Sequence, residues 1–130
     1  MENTCSLVNR LIREDSFRLM SKASIVSITD PGGIIIFANE NFAAISGYSI
    51  AELVGKKHSI INSGHHSSSF WAEMWTTILA GNNWRSEVKN KRKDGSYYWV
   101  DVQIMPHFDE AGTLRAIISV RNDITKRKIA

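Results

Sequence analysis

From Trp84 onward the sequence is a succession of alternating runs punctuated by turns, and this pattern limits the fold more than any other feature. In residues 84–91, Trp84, Ser86, Val88 and Asn90 share one face, while Arg85, Glu87, Lys89 and Lys91 share the other. The charged face is the wet one. Asp94-Gly95 then reads as a hairpin turn, residues 97–105 as a second run, 109–112 as a loop and 113–120 as a third run. Three antiparallel strands follow from this spacing.

The preceding sequence supplies more strand and the helical cover. Residues 24–29 (SIVSIT) and 34–38 (IIIFA) flank Asp30-Pro31-Gly32-Gly33, a strong turn signal, and predict a hairpin. Asn39 is placed to cap a short helix through Phe42, Ala43 and Ile45 that ends at Gly47, and Ser49 to cap another through Leu53 that ends at Gly55. After an irregular stretch at 58–66, Ser67 or Ser68 opens the most periodic helix, carrying Phe70, Trp71, Met74, Trp75, Ile78 and Leu79. The expected fold is α+β: a five-stranded antiparallel sheet with short helices on one face.

Before the hairpin, Leu7, Val8, Leu11, Ile12 and Leu19 recur at helical spacing among Arg10, Arg13, Glu14 and Asp15. An amphipathic helix over residues 1–22 is predicted, with a seam outside the domain's own core that serves as a cap or a homodimer contact. Residues 23–125 form the domain, and the basic stub 126–130 starts a linker helix. With 130 residues and 43% hydrophobic content the chain closes one core. The single cysteine, Cys5, allows no internal disulfide and suits a reducing, cytoplasmic setting. No apolar run is long enough to span a membrane, so no direct membrane insertion is expected.

The order hairpin, short helices, long helix and three strands resembles the PAS domain. The likeness is carried by Asn39 after the second strand, Gly47-Tyr48, Glu52-Leu53-Val54-Gly55 and the closing Asp123-Ile124-Thr125. Within that family the sequence is most similar to the flavin-binding redox sensors of the nitrogen-fixation regulator NifL and the aerotaxis receptor Aer. The matching segments are residues 55–58 (GKKH), 71–75 (WAEMW), 81–84 (GNNW) and 88–95 (VKNKRKDG). The resemblance implies a sensory module that binds FAD noncovalently through Ser27, His58, Trp75 and Asn90. It further implies a report of redox or oxygen status to an output domain such as a histidine kinase, a cyclic-dinucleotide enzyme or a chemoreceptor.

The blue-light LOV branch of the family marks a boundary. Its reactive cysteine falls at His58, its second flavin asparagine at Val100, and its last-strand glutamine at about Arg121, so cysteinyl photochemistry is not expected.

Other readings stay open at individual residues. Asn90 on the inward face requires partners, because an unsatisfied buried amide costs about 1–3 kcal/mol; a ligand, an internal network or a bound water would each serve. Trp75 reads as a ring contact or as core, and Trp99, which alternates away from Val100, as structural. Haem held by one axial histidine in residues 58–66 is an alternative to flavin, with FMN as another. A dimerisation module without flavin, or a small-metabolite sensor, is a further alternative. Adjacent His65 and His66 lack a second ligand motif for a metal. Lys89, Lys91, Arg92 and Lys93 read as a solvated hairpin tip, not a nucleic-acid surface. No nucleophile elbow or phosphate loop occurs, and no enzymatic activity is expected.

Overall fold

The computed structural model describes residues 3–129; residues 1, 2 and 130 of the expected terminal helices, and the side chains of Thr4, Leu11, Asp15 and Ser16, lie outside the described set. Five strands form one antiparallel sheet: β1 (Ile25–Thr29), β2 (Ile35–Ala38), β3 (Trp84–Lys91), β4 (Tyr97–Phe108) and β5 (Leu114–Asp123), in the order β2-β1-β5-β4-β3. The first hairpin turns where the carboxylate of Asp30 accepts from the N–H groups of Gly32 and Ile34, both at 2.9 Å. Gly33, at φ 88°, supplies the left-handed backbone this turn needs.

β5 runs three residues beyond the alternating pattern. It lies between β1 and β4, and Arg121 pairs with Ile25 on one side and Val102 on the other. A central strand satisfies its backbone on both sides, so pairing continues even where the sequence turns polar.

Between β2 and β3 the chain crosses the inner face of the sheet with α3 (Glu40–Ser46), α4 (Ile50–Leu53), a 3-10 turn at His58–Ile61 and α5 (Ser68–Leu79). Asn39 anchors this crossing. Its side-chain oxygen accepts from the N–H groups of Phe42 and Val26, each at 3.0 Å, and its amide donates to the carbonyls of Ser21 and Ser24. One buried side chain thereby caps α3, holds β1 and fixes the end of the preceding helix. Ser49 and Glu52 close α4 with a reciprocal capping box, and Ser67 caps α5.

The N-terminal segment folds as two helices, α1 (Thr4–Arg13) and α2 (Asp15–Ala23), separated at Glu14, whose backbone is extended. This corrects the single predicted helix, and also the view that its seam stands outside the domain's own core. Leu7, Val8 and Phe17 are buried against Val26, Ile28 and Ala116 on the outer face of the sheet. Alternation alone leaves β1 uninformative here: all five of its residues are buried, because both faces are covered. Leu19, expected in the seam, is instead 69% exposed.

Candidate functional site

The inner face does not pack solid. Between the sheet and α5 lies a cavity of about 290 Å³, near the lower end of ligand-pocket volumes. Its floor is Val88 and Asn90 of β3, Val100, Val102 and Ile104 of β4, and Ile117, Ser119 and Arg121 of β5. Its roof is Trp71, Met74, Trp75 and Ile78 of α5, and the mouth carries Lys57, His58, Ser59, Asn62 and the Gly32-Gly33 turn. Among the described residues no Asp or Glu lines it, whereas Arg121 and Lys57 do.

Arg121 dominates the chemistry of this space. It is 2% exposed, yet its hydrogen-bond partners are neutral. Nη1 donates to His58 Nε2 at 2.9 Å, Nη2 donates to Ser27 Oγ at 2.8 Å, and the guanidinium carbon lies 4.4 Å from the centre of the Phe42 ring. Arg121 Nε is buried without a partner, as are Ser119 Oγ and Trp71 Nε1. Burial pushes the guanidinium down to about 10, which leaves it charged at neutral pH. Among the described residues no anion stands beside this buried cation, a state that costs several kcal/mol, and an acceptor-rich or anionic ligand in the cavity would offset that cost.

His58 has a defined role in this cluster. An arginine only donates, so Nε2 of His58 must accept, and the ring is neutral with its proton on Nδ1. Burial, followed by the charge of Arg121, pushes the imidazole down to about 3. The histidine therefore orients the cation and does not carry charge itself. Ser27, 3.1 Å from the same nitrogen, is fully buried behind the guanidinium and is not part of the cavity wall.

Of the four residues that the resemblance implied, His58, Trp75 and Asn90 line the cavity and Ser27 supports it from behind. Asn90 is buried on β3 opposite Tyr98, whose hydroxyl burial pushes up to about 12. Val100, at the second LOV asparagine position, is an apolar part of the floor. Trp99 stands outside the cavity, against His65 at 5.3 Å and beneath Lys128 at 4.4 Å. Arg121, Ser119 and Trp71 are among the wall residues that the sequence reading did not select. For Arg121 the signal was available: it shares a strand face with Ile117 and Ser119 once β5 is continued to Asp123.

A profile described as PAS domain matches residues 22–126. The chain belongs to the PAS family. Its PAS segment is similar to the aerotaxis receptor of Escherichia coli, at 32% identity over 92% of this chain and 23% of that protein. It is 34% identical to a nitrogen fixation regulatory protein of Klebsiella oxytoca over 84% of this chain and 22% of that one. The bacterioopsin transcriptional activator of Halobacterium salinarum is 35% identical over 82% of this chain and 16% of its own length. The chain thus spans less than a quarter of each of these relatives. Among solved structures, a light-oxygen-voltage domain studied with a flavin analogue superposes with TM-score 0.78 at 19% identity, covering 90% of both chains. A PAS domain from Colwellia psychrerythraea superposes with TM-score 0.76 at 23% identity, covering 87% of this chain and all of that one. These two establish the shared PAS fold.

Proposed function

We propose that this PAS domain is a sensor that binds FAD noncovalently and passes redox or oxygen status to an output domain. The observation that carries the reading is the uncompensated Arg121 cation beside a cavity lined by hydrogen-bond donors and aromatic side chains and free of acids. The polar edge of a flavin presents the carbonyl and ring-nitrogen acceptors that Arg121 Nε and Ser119 Oγ lack, Asn90 on the same floor offers a further amide, and Trp75 offers a face for the ring system. Similarity to the aerotaxis receptor and to the nitrogen fixation regulatory protein supports the same reading.

Bound flavin supplies reversible electron uptake and a visible absorbance. The chain's own part is electrostatic. Arg121 stabilises negative charge at the cavity's polar edge, and His58 and Ser27 hold the guanidinium in place. A change in charge there alters the pull on Arg121, hence on β5 and β1, the two strands that it and Ser27 join. β5 leads directly into α6 (Thr125–Ile129), where Ile124 N–H donates to Trp99 O and Thr125 Oγ1 accepts from Trp99 N–H. A signal leaving the cavity by this route requires different contacts in the two states.

Haem is the weaker reading on the same geometry. Nε2 of His58 already accepts from Arg121, and Nε2 of His66 accepts from Lys89 N–H.

The test is the absorbance spectrum of the purified protein, repeated after incubation with FAD and gel filtration. A retained flavin band, lost in Asn90→Ala and Trp75→Ala and kept in Trp99→Ala, is the expected result. A Soret band, or a colourless protein that takes up no flavin, would overturn the assignment.

A further inference from the structure

β3 is an edge strand, and its outer side is closed by the segment between the 3-10 turn and α5. Asn62 forms a bridge with Asn90, Ser63 Oγ donates to Lys89 O at 2.6 Å, and Lys89 N–H donates to His66 Nε2 at 2.9 Å. Both backbone groups of Lys89 that an edge strand would leave open are therefore occupied by side chains of one short loop.

The same imidazole reaches round the edge to both faces of the sheet. It stacks on Phe70 at 4.2 Å and 17°, meets Trp71 of the cavity roof edge-on at 5.7 Å, and lies 6.2 Å from Trp99 on the other face. His66 joins the first turn of α5 to the strand that bears Asn90. We propose that His66 is an acid-sensitive latch that fastens the roof of the cavity to the edge of the sheet and opens when the ring takes a proton.

The chemistry of the switch is one of donor and acceptor. Neutral His66 presents a lone pair at Nε2 to the Lys89 N–H; the imidazolium presents a second N–H there, so an attraction becomes a repulsion. The titratable groups around it favour the closed, neutral form. His65 is 4.8 Å away, the Lys89 ammonium lies over the Tyr97 ring, and that of Lys128 lies over Trp99. Glu87, two residues along β3, is engaged by Arg127 and Lys128. Burial, then His65, holds the His66 pKa below its ordinary value. The latch is therefore closed at neutral pH and opens only under more acidic conditions than an ordinary histidine would need.

This inference does not depend on what the cavity binds, and its test needs no ligand. In the full chain, amide exchange of Lys89, expressed as a protection factor, is followed by NMR from pH 7.5 to 4.5 alongside the His66 ring resonances. Protection should fall roughly tenfold as His66 titrates, the loss of about one hydrogen bond. His66→Gln, which keeps an acceptor that does not titrate, should hold Lys89 protected across the range. His66→Ala should leave it unprotected throughout. Protection that ignores the His66 titration, or survives intact in His66→Ala, would overturn the proposal. Amides in α3 report global folding and must stay protected in the same spectra; their joint loss with Lys89 would make His66 a packing residue and overturn the latch.

Discussion

The two faces of the sheet are built to opposite specifications. On the outer face, Leu7, Val8 and Phe17 close over Val26, Ile28 and Ala116 in an apolar cluster whose buried members carry no polar side chain. On the inner face, α5 stands off the strands, leaving a cavity with a buried guanidinium and unpartnered polar atoms. Close packing is what a domain needs to be stable, and a gap lined by uncompensated donors is what it needs to bind. Both faces contribute stability, since the inner face also holds the larger apolar core, including Phe42, Leu53, Ile78 and Val100, but recognition is set into the inner face alone.

The contrast breaks most readily at Phe17. Replacing this buried ring by Ala should cost about 3–5 kcal/mol in urea denaturation, through lost burial and the cavity left behind. Flavin retention at low temperature should persist, since Phe17 touches nothing in the cavity wall. Removing residues 1–22 altogether exposes Val26 and Ile28, so the expected product is an unstable or aggregating chain. A stable, soluble, truncated monomer would show that the outer cover is dispensable.

The inner face should respond in the opposite sense. Arg121→Met removes a buried charge while keeping much of the side-chain length, and should raise ligand-free stability by about 1–3 kcal/mol while abolishing flavin retention. Loss of stability together with loss of flavin would mean that the Arg121 network holds the fold and is not a binding device.

An effect smaller at any single pH step separates the faces by pH. His58 is held neutral in the fold to about pH 3, against an ordinary value of 6.5. The unfolded chain takes up a proton that the folded chain refuses, so this contribution is intact above pH 6.5 and is lost progressively as pH falls toward 3. Its slope is at most about 1.4 kcal/mol per pH unit. Urea midpoints of His58→Gln measured over that window should be flatter than those of the parent, and an unchanged slope would place the acid sensitivity elsewhere.

Much of the architecture was legible because it rests on local signals. The Asp30 turn, the caps at Asn39, Ser49 and Ser67, and the alternation through β3 each depend on neighbours a few residues away. Asn90 could be placed inward on alternation alone. By contrast, the break at Glu14 and the burial of the N-terminal seam depend on an outer sheet face assembled from β1 and β5, which are separated by most of the chain.

The sequence by itself determined the five strands, their connecting helices and the inward position of Asn90, because periodicity and capping are properties of short segments. Only the tertiary structure decided that Ser27, His58 and Arg121 are one unit. Nothing in their spacing joins residues 31 and 63 positions apart; the antiparallel pairing of β1 with β5 does, by bringing Ser27 beside the strand that bears Arg121. The charge of Arg121 could be read from its letter. That this charge is buried, held by a neutral imidazole and left without an anion is a consequence of long-range packing alone.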